Sequence, residues 1–427
     1  LLTDEVVQLV GPQGVGKTSI AMAAALRSIS RFAEGVWWID LRGFDETIGI
    51  DENKQTEEHI ARIVGNVLGI PVENNPLSKE GEGNTHVSQI IEQLATYSIL
   101  LILDNCDYVG IEVASFIQSI RQKCPFVEFL ATSRDVLPLP EGSYYRFDVG
   151  LMSPDDAAKL AHAEAQRVYR DQMTAAETLS VTPLQQLPDE SRRTALIVHL
   201  AANLLVADRA GALSMLNQRL TSDEKTGRIQ HSVERNVKTA VELCSFDILT
   251  ENEREIMCII ALFPGGCPHD ALKFISDKLQ YIAGDLNFIL ISLNNHNLLM
   301  VEGKDAVGRY RLAEPIREFL VERGQQHNSY DQWMMNLVGF YIEFTERQII
   351  DSHIRVRGEI IARLRDEYLN IDAAFRWCSR NDHGIEMGLR LASAMADYWD
   401  KDGNIQWGSR ILGYFLERAG EGHIRKV

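Results

Sequence analysis

The chain has 427 residues, 45% of them hydrophobic, and 43 basic against 60 acidic side chains leave a formal charge of −17. That length suggests about three or four domains, and the acidic balance argues against broad, nonspecific nucleic-acid binding. Cys106, Cys124, Cys244, Cys258, Cys267 and Cys378 form no C-x-x-C pair and no zinc-ligand spacing, so reduced, buried thiols in a cytoplasmic protein are expected.

The first 150 residues alternate short apolar runs with helical patterns. The runs are Val6–Val10, Val36–Leu41, Ile99–Leu103, Val127–Ala131 and Tyr144–Val149, and they read as buried parallel strands of an α/β nucleotide-binding core. Glu73–Thr85, rich in Asn, Gly, Glu and Ser, reads as an exposed loop. Between the first run and a helix-like stretch lies Gly11-Pro12-Gln13-Gly14-Val15-Gly16-Lys17-Thr18, followed by Ser19. Strand, G-x-x-x-x-G-K-T and helix is the context of a phosphate-binding loop. Its glycines let backbone N–H groups fold around a polyphosphate, Lys17 reaches the β- and γ-phosphates, and Thr18 ligates Mg²⁺. The helix aims its positive N-terminal dipole at the same anion.

The run Ile99–Leu103 ends in Asp104, the acid expected to hold Mg²⁺. Asn105 follows it. An amide cannot accept a proton as a carboxylate does, so slow hydrolysis is expected. The direction of Asp107, two residues on, is left open. Arg134 ends the stretch Ala131-Thr132-Ser133-Arg134. If that strand lies between the Gly11 and Asp104 strands, Arg134 stands near a γ-phosphate and can report its presence. Lys17, Asp104 and Arg134 are therefore the candidates for chemistry at the phosphates.

Residues 151–228 read as a helical domain opened by Ser153-Pro154-Asp155-Asp156, with Ser as N-cap, Pro at N1 and acids in the first turn. Helix continues to about Leu220, and Thr221–Arg228 reads as a linker. Residues 229–325 change character. Helices precede Phe263-Pro264-Gly265-Gly266, two more follow, and Leu298–Glu302 and Arg309–Leu312 read as a hairpin, the layout of a winged helix. Lys304, Arg309, Arg311 and Arg317 alternate there with Glu302, Asp305, Glu314 and Glu318, which reads as a solvated mixed face. From 326 to 427 the chain reads as helical hairpins, with Tyr368, Ile371, Phe375 and Cys378 at helix spacing. The windows Ile99–Leu103 and Leu286–Leu293 are too short to span a membrane. The chain opens on Leu1, almost at the first strand, and is expected to be a piece of something longer.

Together these motifs resemble the STAND signal-transduction ATPases, relatives of the NB-ARC proteins, in the branch of bacterial regulators with tetratricopeptide sensors. The resemblance rests on Gly11–Thr18, Gly35–Leu41, Leu101–Asp107, Ala131–Arg134, Leu151–Ala157, Leu262–Gly266, Arg309–Phe319 and Leu369–Trp377, in the family's order. It implies an NTPase core at 1–150, a helical domain at 151–228, a winged helix at 229–325 and a truncated tetratricopeptide-like region at 326–427. It implies a switch in which ADP clamps the modules closed and exchange to ATP, with Mg²⁺, opens them for self-association, with effector and sensor regions beyond the ends. Gly11, Gly14, Val15, Gly16, Lys17, Thr18, Ser19, Arg134 and Glu314 are the implied nucleotide-binding residues. The sequence departs from the family three times, and one departure is that the segment preceding the first strand, which in the family helps bind adenine, is mostly absent from it. Ala195 stands where a proline would meet the adenine, and Ala313 where a histidine would meet the ADP β-phosphate. A DNA-binding regulator acting through its winged helix, and a turnover NTPase, are the alternatives; direct nucleic-acid binding is not the expected role.

Overall fold

A computed structural model describes residues 6–41, 56–70, 86–170, 182–205, 210–224, 232–279, 286–302, 308–351, 357–401 and 405–424. The expected loop at Glu73–Thr85 and Lys304 lie outside them. All five expected strands form: β1 Val6–Val10, β2 Val36–Asp40, β3 Ile99–Asp104, β4 Val127–Ser133 and β5 Tyr145–Asp148. They make one sheet in the order β2-β3-β4-β1-β5, and every pairing is parallel.

The unbroken apolar character of β3 follows from its position, because both of its faces are covered. Ile99, Leu101 and Leu103 join one core with the helices Thr56–Leu68, His86–Leu94 and Gly110–Arg121. Leu100 and Ile102 point the other way, into a core with Ala21 and Ala25 of the helix Lys17–Ser28. The strand's period of two thus serves both layers. The carboxyl ends of β1, β3 and β4 carry Gly11, Asp104 and Arg134 to one edge of the sheet, where open α/β sheets bind ligands.

Helices then follow from Pro154 to Glu224. Ser153 caps the first as expected, its hydroxyl accepting from the Asp156 amide at 3.1 Å. The expected linker is shorter at its start, since Thr221–Glu224 continue the helix Ala210–Glu224. Leu216 and Leu220 are wholly buried there, so packing carries the helix past polar residues that favour a break.

The helix Glu251–Ala261 begins at a capping box formed by Thr250 and Glu253. The hairpin expected after Leu298 is β7 Met300–Glu302 with β8 Arg309–Arg311, preceded in the chain by a short strand, β6 Cys267–Pro268, that pairs with β8. Two residues are too few to announce a strand in the sequence. The rest is helical: Glu314–Gln325, Tyr330–Asp351, Arg357–Asp366, Tyr368–Arg380, Ile385–Lys401 and Ile405–Ile424. The last two pack at close range. A Cβ on Gly388 would meet the Phe415 ring at 2.3 Å, and one on Gly408 would meet Trp399 at 2.5 Å. All six cysteines are buried. Among the described residues no helix is long and apolar enough to cross a membrane.

Two buried polar junctions join the C-terminal helices to what precedes them. Glu367 pairs with Arg309, accepts from the Tyr341 hydroxyl at 2.7 Å and accepts from Asn370 at 2.8 Å. Asn370 in turn accepts from the Gly265 amide at 2.8 Å and donates to the Gly266 carbonyl at 3.0 Å. Arg62, on the helix Thr56–Leu68, lies between the rings of Tyr368 and Trp407, 4.7 and 4.6 Å from their centroids, and donates to the Tyr368 hydroxyl. Replacing Glu367 by Ala strands Arg309 and Tyr341 without their shared acceptor. It is expected to destabilise the protein by about 3–5 kcal/mol, measured as a lower urea midpoint; an unchanged midpoint would show that the junction is dispensable.

Candidate functional site

The loop after β1 has the backbone its glycines allow. Gly14 and Gly16 have φ of 81° and 105°, the left-handed region that other residues adopt at a cost. Gly11 is needed for space, since a Cβ there would lie 2.2 Å from the Val149 carbonyl oxygen. Val15 is buried and anchors the loop in the core beneath it.

Lys17 folds back over the loop and donates to the carbonyls of Gly11 at 2.7 Å and Pro12 at 3.1 Å. Burial lowers its pKa; the carboxylates of Asp107 and Asp104 oppose this, while Arg134 adds to it. A phosphate placed here meets an ammonium with little water around it, where its charge acts most strongly.

The neighbouring strand ends would supply the cation side. Thr18 donates to Asp104 Oδ1 at 3.1 Å, and Thr132 of β4 donates to the same oxygen at 2.5 Å. Thr18 and Asp104 thus stand side by side, as the loop Thr and strand-end Asp that hold Mg²⁺ should. The glycine cradle and this donor pair fit a Mg²⁺–nucleotide, whose cation would neutralise charge on the phosphates.

Asn105 adopts a left-handed conformation, φ 63°, which asparagine tolerates better than most residues. Its amide donates to Asp104 at 3.1 Å and to Asp40, at the end of β2, at 3.3 Å. Asp107 turns inward. It accepts from the Arg134 backbone N–H, lies 3.5 Å from Arg134 Nε, and lines the same cavity. The helical turn Cys106–Tyr108 after Asn105 is what swings it round.

The condition placed on Arg134 is met, because β4 lies between β3 and β1. Arg134 stands beside the loop, with Asp107 on one side and Glu318 at 3.9 Å on the other. Glu318 also accepts from Gln13 of the loop at 2.7 Å.

These groups open onto one cavity of about 770 Å³. Lys17, Thr18, Ser19, Asp104, Arg134 and Glu314 all line it. Glu314 keeps its carboxylate on Arg317 of its own helix, at 2.7 and 3.1 Å. Other segments close the cavity: Leu160 and Glu164, Ala195 and His199, Arg311 and Glu318, Arg365 and Tyr368. The helix Ala195–Ala202 starts against the loop, with the Leu196 amide donating to the Gly14 carbonyl at 3.0 Å. Ala195 Cβ is 3.9 Å from the position a Cβ on Gly16 would take.

Sequence patterns assigned no site role to Gln13, Asp40, Glu318, Arg365 or Tyr368. Asp40 carried a signal, as an acid ending a strand beside the Asp104 strand. Glu318 carried none, because its relevance comes from helix packing alone. The basic residues near the hairpin differ from the solvated face expected of them. Arg309 pairs with Glu367, Arg311 with Glu302 at 2.7 Å and Arg317 with Glu314, and their side chains are only 21%, 21% and 17% exposed. Contacts with Glu367 of the C-terminal region and Asp40 of the sheet help cover Arg309 and Arg311.

No family model matches the chain. A Mycobacterium tuberculosis protein provisionally named an HTH-type transcriptional regulator is 24% identical over 423 residues, 98% of this chain and 44% of its own length. The chain therefore spans less than half of that relative. An uncharacterized M. tuberculosis protein is 24% identical over 339 residues, 78% of this chain and 79% of its own length. Among solved structures, a STAND protein with a tetratricopeptide repeat sensor from Pyrococcus horikoshii is similar over 97% of this chain and 62% of its own, at 16% identity and a TM-score of 0.49.

Lys17→Ala removes the one lysine that the phosphate-binding loop contributes to the cavity. It is expected to weaken ADP and ATP binding at least a hundredfold, on the scale of about 3 kcal/mol for a charge-assisted contact. Equal affinities of variant and parent by calorimetry would refute the phosphate assignment.

Proposed function

We propose that this chain is a nucleotide-dependent molecular switch of the STAND type, held closed by ADP and opened for self-association by exchange to ATP. The observation that carries this reading is the composition of the cavity wall. Gln13 and Lys17 of the loop, Leu160 and His199, Arg311 and Glu318, and Arg365 and Tyr368 all reach it. In an enzyme that only turns over nucleotide, the core alone suffices. Here every proposed module, 1–150, 151–228, 229–325 and 326–427, meets the phosphates' surroundings. A ligand shifts such an equilibrium only by binding its two states differently, and a ligand in contact with all the modules has the means.

The proposed modules have corresponding elements. Helix Glu251–Ala261, β6, helices His269–Lys278 and Leu286–Asn295, and the β7–β8 hairpin follow the order of a winged helix. Paired helices from Tyr330 onwards suit a tetratricopeptide-like region. Of the nucleotide-binding residues, Lys17, Thr18 and Asp104 would hold phosphate and Mg²⁺, Arg134 would read the γ-phosphate, and Ala195 and Leu196 would border the base.

The provisional name of the mycobacterial relative raises DNA binding as a second reading. Against it, the helix Leu286–Asn295 exposes Phe288 at 73% and Ile291 at 56%, where a groove-reading helix needs polar and basic groups. The arginines nearby are engaged by acids. A reading as a turnover NTPase is weakened by Asn105, whose amide supplies no base.

Three measurements test the switch. Scattering profiles with ADP and with a non-hydrolysable ATP analogue are expected to differ in radius of gyration; identical profiles would favour a static binding scaffold. Steady-state phosphate release is expected well below roughly 10 s⁻¹, the median enzyme turnover, and a rate at or above that value would reveal a base other than residue 105. Duplex DNA is expected to leave the protein's sedimentation unchanged, whereas a footprint on a defined site, weakening steeply with salt, would establish the regulator reading.

A further inference from the structure

We propose that Glu318 makes this site selective for a nucleoside diphosphate over a triphosphate, by holding a negative charge against the phosphate-binding loop and Arg134. The inference rests on the nucleotide-switch reading and names the residue that sets its direction.

Glu318 lies one turn into the helix Glu314–Gln325 and lines the cavity. One carboxylate oxygen accepts from Gln13 Nε2 at 2.7 Å. The other lies 3.9 Å from the Arg134 guanidinium. Gln13 sits in the loop between Gly11 and Gly14, and Arg134 directly follows the neighbouring strand β4. The acid of a distant segment therefore stands between the phosphate cradle and the arginine placed to read a third phosphate. Glu314, one turn earlier at the family's lock position, turns instead to Arg317.

The loop amides and Lys17 can neutralise a diphosphate without involving Glu318. A further phosphate, extending from Lys17 toward Arg134, brings its negative charge up to that carboxylate. Like charges in a partly buried space disfavour one another, so the triphosphate must draw Arg134 off Glu318 or push the helix away. The helix does not move alone. Phe319 and Leu320 are buried in the same core as Trp333 and Leu337 of the following helix. Rejection of the third phosphate and release of the segments after 314 are then one event.

The test is a calorimetric titration of ADP and a β,γ-imido ATP analogue into the full chain. Glu318→Gln keeps an oxygen that accepts from Gln13 and removes only the charge. It is expected to raise triphosphate affinity relative to diphosphate about tenfold, within the usual range of coupling between sites. Glu318→Asp, which keeps the charge, is expected to retain the parental ratio, and in an Arg134→Ala background the effect of Glu318→Gln is expected to shrink markedly. An unchanged ratio in Glu318→Gln, with both nucleotides still bound in a Lys17-dependent manner, overturns the role of Glu318 and leaves the switch reading standing. Equal shifts in the Gln and Asp variants overturn it too, since geometry and not charge would then be responsible. Binding that is indifferent to Lys17→Ala removes the nucleotide reading itself.

Discussion

The close approach of the helix Ala195–Ala202 to the phosphate-binding loop is the constraint on which the rest depends. A Cβ on Gly14 would lie 3.1 Å from both Leu196 and Val237, and the Gly14 carbonyl is bonded to the Leu196 amide. The loop in its binding shape is therefore also a packing surface. Its left-handed glycines permit the cradle, and their lack of side chains permits the contact. A change in the loop is felt at once in the helical segments, because close-packed interiors have few ways to absorb a displacement.

From that contact the coupling extends along the chain. Val237 belongs to the helix Ser232–Glu242, which shares the largest core with Leu312, Phe319 and Trp333. Among the described residues that core takes in side chains from Ala161 to Ala419, so apolar burial joins the helical segments that follow the sheet. The sheet layers have cores of their own, which Tyr368 and Val233 of the later segments join or pack against. The boundary between them is more polar: Arg134 with Glu318, Arg311 with Asp40, and Arg62 between two aromatic rings. Apolar contact is nondirectional and holds the later segments together, whereas ion pairs respond to added charge. A polyanion arriving at this boundary meets the contacts that charge can rearrange.

The strand ends show what Asn105 does structurally. Its left-handed backbone and its bonds to Asp40 and Asp104 hold two carboxylates together at the ends of neighbouring strands. In that position an amide donates where a carboxylate would repel.

The sequence alone determined the five strands and the phosphate-binding end of the first, while the order of the strands came from the structure. Glycines, a lysine and a threonine within eight residues act through local backbone geometry, and β3 announced itself because both its faces are buried. It also determined the hairpin Met300–Arg311 and the capped start of helix Pro154–Arg170, where short-range hydrogen bonding decides the structure. Tertiary packing decided which distant side chains meet the loop. Asp107 turns inward because of the helical turn it occupies, Glu314 turns to Arg317 while Glu318 crosses to Gln13, and Arg365 and Tyr368 reach a cavity that begins more than 300 residues earlier. Periodicity reports which face of a helix is buried, but not what lies opposite it. That depends on how helices from separate segments cross, and the crossing is set by the summed packing of the whole core.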